Sequence, residues 1–189
     1  MSSLKSYTEE RLAKLLETTS AALYERQRAL VRAGLLDQSE GKGPGSGVRA
    51  TPSALALLLI AAMATDNLSN VELRVREIAN TKADRGTCGL TGKRSFQSAL
   101  VAILDSEELA SRVVEIGISR TSPSAQIHYR WPGRKRISTT SEFSTSASST
   151  PVLRVMASVD GRVIQTIARD IARDLQDAPA FSTTKKQIA

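Results

Sequence analysis

Four glycines and a proline fall within seven residues, Gly41-Lys42-Gly43-Pro44-Gly45-Ser46-Gly47, and neither a helix nor a strand interior tolerates such a run. The stretch reads as a loop and fixes where regular structure must stop and restart. Upstream, Thr8 can cap a helix that opens with Glu9-Glu10, acids that suit a helix N-terminus. Leu12, Leu15 and Leu16 mark its apolar face. The polar stretch Glu17-Thr18-Thr19-Ser20 interrupts it. Thr19 or Ser20 can cap a second helix, whose buried stripe is Leu23, Leu30 and Val31, with Gln27 on the same side. Gly34 falls where a helix end takes the left-handed conformation. Leu35-Leu36 and Val48-Arg49-Ala50 read as short extended stubs on either side of the glycine loop. Thr51-Pro52 supplies a cap and a first-position proline for the next helix.

That third helix, about 53–65, is apolar almost all round and suits a buried core or an oligomer contact. Its apolar run, Ala54 to Ala64, is about half of what a bilayer span needs. Asn70 to Thr81 and Ser95 to Leu109 have helical periodicity, and Ala83 to Lys93, with Gly86, Gly89 and Gly92, reads as a loop. The period then shortens to two. Val113 to Ile118 and Ala125 to Trp131, with a turn at Ser122-Pro123-Ser124, make a hairpin candidate. Ser138 to Thr150 is rich in serine and threonine and reads as a loop. Val152 to Met156 is expected as a third strand, Val159 to Asp174 as a helix, and residues 177–189 as a flexible tail. The expected fold class is α+β and mainly helical, with a small C-terminal strand and helix element. The expected division is 1–66, 67–176 and the tail.

Aromatic residues make up only 4% of the chain, so the core has to be aliphatic, which suits helices. The net charge of +7 suits a polyanionic partner. It is uneven: residues 1–50 carry eight cations and six acids (+2), 51–110 six and seven (−1), and 111–189 twelve and six (+6). A single cysteine, Cys88, and a single histidine, His128, leave no basis for an internal disulfide, a cysteine zinc site or a histidine-based catalytic set. No metal or cofactor is expected, and no enzymatic activity. The N-terminus has no apolar signal core, so a cytoplasmic, nucleoid-associated protein without a membrane partner is expected.

The order Leu12-Ala13-x-x-Leu16, Thr19-Ser20, Leu30-Val31-x-x-Gly34-Leu35-Leu36 and then a glycine-rich hairpin resembles the winged helix-turn-helix of bacterial transcription regulators such as the MarR and MerR families. The resemblance covers about a quarter of the chain. It lacks the long C-terminal helix of MerR and the flanking helices of MarR, so only the module is carried over. The resemblance implies that the second helix enters a major groove of double-stranded DNA. Ala21, Tyr24, Glu25 and Arg28 would then face bases. Arg26 and Arg32 would meet phosphates, and Thr19 and Ser20 would donate to phosphate from the helix N-terminus. Lys42 and Arg49, flanking the wing glycines, would meet phosphate or the minor groove. A homodimer or higher homo-oligomer is expected.

Arg130-Trp131-Pro132-Gly133-Arg134-Lys135-Arg136 clusters four cations round an indole. Arg130, Trp131, Arg134, Lys135 and Arg136 form a second candidate nucleic-acid patch, or else a charged turn anchored by Trp131. The glycine loop lacks the strand–GxxxxGK[ST]–helix order of a phosphate loop. The sequence thus points to a sequence-specific transcriptional regulator of bacterial or phage origin. The alternatives are a DNA-packaging protein such as a small terminase subunit, and a protein–protein adaptor built on the same module.

Overall fold

The computed structural model describes residues 3–37, 47–131, 138–145 and 153–176. Lys42, Arg134, Lys135, Arg136 and the tail 177–189 lie outside them. The chain is α+β, with helices packed on an antiparallel sheet.

The first helix, α1, is continuous through Leu4–Tyr7, a π-helical stretch Thr8–Leu12, and Ala13–Leu15. Its cap is Ser3, whose hydroxyl accepts from the Ser6 amide at 3.1 Å, and not the expected Thr8. Tyr7 explains the difference. It is buried and donates from its hydroxyl to Asp170 Oδ2 at 3.2 Å, so the helix has to begin early enough to carry it. Burial, reinforced by the Asp170 carboxylate, pushes the Tyr7 phenol far above its ordinary range and keeps it a neutral donor. Thr8 is buried inside the π-helical stretch, and its hydroxyl has no hydrogen-bond partner.

Glu17 turns the chain with a left-handed φ of 50°. Thr19 then caps α2 (Ser20–Arg32) by accepting from the Ala22 amide at 3.1 Å. Gly34 ends α2 at φ 66°, and the Leu35 amide bonds back to the Leu30 carbonyl at 2.9 Å, closing the helix end as the sequence implies. Leu35–Asp37 and Gly47–Arg49 line a shared cavity of about 370 Å³. Arg49 forms an antiparallel bridge to Ser3, and the Leu4 amide donates to the Val48 carbonyl at 2.8 Å. The segment Gly47–Arg49 is therefore joined to the start of α1 and not to Leu35-Leu36, which form a bend. The hairpin expected of these two stubs is corrected: neither is a strand.

Helix α3 (Pro52–Ala64), capped by Thr51, is buried along nearly its whole length within this one chain. It packs on α2, on α4 (Val71–Ala79), and on α5 (Phe96–Leu104). The expected single helix over 95–109 is broken at Asp105–Ser106, where Ser106 caps α6 (Glu107–Arg112) through the Leu109 amide at 3.3 Å.

The sheet has the order β1-β4-β3-β2-β5, with β1 Lys82–Ala83, β2 Val113–Ser119, β3 Ser124–Arg130, β4 Ser138–Ser144 and β5 Met156–Asp160. Two readings of the sequence are corrected here. Ser138–Ser144 is a strand and not loop, since β3 and β1 flank it on both sides and it buries Ser141 and Phe143. The last strand begins at Met156, with Val152 outside the described residues and 153–155 outside the strand. It takes in Val159, expected in the last helix, because its register sets Val159 against Ile116 in the core. Helix α7 (Gly161–Gln176) packs back on β2. Ile116, Ile118, Ile127 and Phe143 face the helices, and Phe96 of α5 meets Phe143 edge-on at 5.4 Å.

One hydrophobic cluster runs from Leu4 to Ile171 without a break at the boundary expected near residue 66. The Arg11–Asp170 ion pair at 2.9 Å ties the first helix to the last.

Candidate nucleic-acid interface

Helix α2 buries Leu23, Gln27 and Leu30 and turns its other side outward. Thr19, Ala21, Tyr24, Arg28 and Arg32 are exposed there, and Ser20 and Glu25 are half-buried. Tyr24 is 37% exposed, with the Lys5 ammonium 5.6 Å from its ring centroid. Arg28 pairs with Glu25 at 3.0 Å, three residues back on the same face. Exposed pairs of this kind hold little free energy, so Arg28 can exchange that partner. The guanidinium groups of Arg32 and Arg49 have no acidic partner among the described residues.

Of these expected residues Tyr24, Arg28 and Arg32 converge on one groove, and Thr19, Ser20, Ala21 and Glu25 do not line it. Ser3, Lys5, Tyr24, Gln27, Arg28, Arg32 and Val48 line this groove of about 390 Å³ between α2 and the segment Gly47–Arg49. Arg49, the next residue, lines instead the cavity shared with Leu35–Asp37. At the groove lies Gln27, only 7% exposed, and its Oε1 has no hydrogen-bond partner. A buried amide oxygen without a donor is a costly arrangement.

Arg26 does not join this face. Its side chain is 12% exposed and donates to the carbonyls of Ala22 at 3.1 Å, Ala61 at 3.3 Å and Thr65 at 3.3 Å. The expected phosphate contact is corrected to a role in the fold. Helix α3 has no basic residue in its last turn, so its terminal carbonyls take cations from outside. Arg120 does the same at the Met63 carbonyl, at 3.0 Å, and Arg76 serves the end of α2 through the Ala33 carbonyl, at 2.8 Å. Periodicity places Arg26 on a flank and cannot show that a helix end waits for it.

Lys5 was not anticipated in the groove, because the sequence suggests a helix starting at Thr8 and so leaves residue 5 outside it. Its signal was Ser3, three residues before Ser6. Of the second expected patch, Arg130 and Trp131 are described. Both are exposed, Trp131 by 46%, its ring inclined to that of Tyr129 with centroids 6.3 Å apart.

No helix among the described residues is long and apolar enough to cross a membrane. No family model, no curated protein and no solved structure matches this chain.

Proposed function

We propose that this protein is a non-enzymatic, sequence-specific DNA-binding regulator, and that α2, its preceding turn and the segment Gly47–Arg49 act together as a winged helix-turn-helix. The observation that carries the reading is the convergence of Tyr24, Arg28 and Arg32 of α2 with Lys5 and Val48 about one groove. A helix is narrow enough to enter a major groove about 12 Å wide. Arg28, released from Glu25, has the planar fork that pairs bidentately with guanine, and Glu25 is then free to accept from a cytosine amino group. Arg32 and Arg49 neutralise phosphates on either side, and the Thr19 end of α2 adds amide donors. Tyr24 adds apolar area and a hydroxyl. In a symmetric dimer two such helices would read half-sites about 34 Å apart.

The reading is tested by selecting bound fragments from genomic DNA with the wild-type chain and with Arg28→Ala. The wild type should enrich a shared sequence. The variant should lose about tenfold in discrimination between that sequence and random duplex. Equal weakening on both kinds of DNA would refute the base-reading role.

A further inference from the structure

A second cationic surface lies on the segment that joins β1 to α5. Lys82, Arg85, Lys93 and Arg94 are all exposed there, and none of their charged groups has a partner among the described residues. Arginines elsewhere are mostly occupied. Arg26, Arg74, Arg76 and Arg120 bond to carbonyls, and Arg11, Arg112 and Arg162 pair with carboxylates. Four free cations against one acid, Asp84, within thirteen residues therefore stand out from the rest of the surface.

The cations border space. Lys82, Arg85 and Arg94 line a recess of about 530 Å³. It adjoins a cavity of about 520 Å³, the two sharing Ala83, Arg85 and Thr87. The wall of that second cavity includes Tyr129, the half-exposed Trp131 and Glu142. Gly89 closes one side with bare backbone. A Cβ there would come within 2.2 Å of the Tyr129 hydroxyl. The Glu142 carboxylate has no partner among the described residues, whereas that of Asp84 accepts from the Ser144 hydroxyl at 2.6 Å.

We infer that the two cavities together take one nucleotide unit, with its phosphate among Lys82, Arg85 and Arg94 and its base against Trp131. The three cations line one cavity and the indole lines the other, which fixes the polarity. Stacking on an indole accepts any base and alone sets no preference among them. The volume of each cavity lies within the usual range for small-ligand sites. An unpaired residue in a DNA or RNA strand and a free nucleotide present the same chemistry. The site does not depend on the α2 groove, and a paired duplex, whose bases are stacked on each other, does not fill it.

Trp131 is the only tryptophan, so fluorescence excited selectively at tryptophan, and not at the three tyrosines, reports on this site. The full chain is titrated at low salt with an oligo-dC strand of about ten nucleotides, long enough to fill a typical single-strand site, and separately with cytidine monophosphate. Quenching by the strand alone assigns a strand, and quenching by both assigns the free nucleotide as well. The Arg85→Ala/Arg94→Ala double variant should weaken quenching at least about tenfold. Its circular dichroism and its affinity for duplex DNA should be unchanged. Absence of quenching by both probes, equal quenching by a fully paired duplex, or undiminished quenching in the double variant would overturn the assignment.

Discussion

The two cationic surfaces are built by opposite means. On α2 the charges are spaced by a helix, so their common direction follows from periodicity. Between β1 and α5 they are gathered by a loop whose turns at Gly86 and Gly92 have φ of 84° and 69°, and Lys82 and Arg94 meet across a recess although twelve positions apart. The first arrangement presents a rigid rod beside the segment Gly47–Arg49, which suits a duplex groove. The second presents a hollow with an indole at its rim, which suits a single base and phosphate. The contrast also separates cations that hold the fold from those left for a ligand. Arg26 and Arg28 are two residues apart on one helix, yet one is buried among carbonyls and the other stands in solvent.

The largest expected effect sharpens that last distinction. Arg26→Ala leaves the carbonyls of Ala61 and Thr65 without their donor and should lower stability by about 3 kcal/mol in denaturant unfolding. Arg28→Ala, which breaks only an exposed pair, should change stability by less than about 0.5 kcal/mol. Comparable losses from the two would erase the division between structural and available arginines. Next in size is Gly92→Ala. The residue faces open space but has left-handed φ, so the cost is conformational, about 1–2 kcal/mol. Because the loop positions Arg94, the substitution should weaken oligo-dC quenching and leave duplex binding intact. A parallel loss of both activities would mean that the surfaces are one.

The sequence made the N-terminal half largely legible, because its signals are local. The cap of α2, left open between Thr19 and Ser20 and found at Thr19, Gly34 as helix end and Thr51-Pro52 as helix start each act within a turn of chain. What escaped depends on distant partners. Tyr7 draws the start of α1 back to Ser3 because Asp170 lies across the core, 163 residues on. Ser138–Ser144 has the composition of a loop and becomes a strand because neighbours on both sides satisfy its backbone. The pocket cations were hidden by averaging. Residues 51–110 sum to −1, and the four cations of 82–94 vanish into that total. The break at Asp105–Ser106 did leave a trace, a serine followed by two glutamates, which is a helix start inside an apparently continuous helix.

The most direct measurement of the proposed α2 interface is the salt dependence of duplex affinity, taken for the wild type and for Arg32→Ala/Arg49→Ala. If these two guanidinium groups sit on phosphates, the slope of log K against log salt should become shallower by about 1.8 in the double variant, at about 0.9 per phosphate. An unchanged slope, or wild-type binding to duplex that does not respond to salt, would contradict the account.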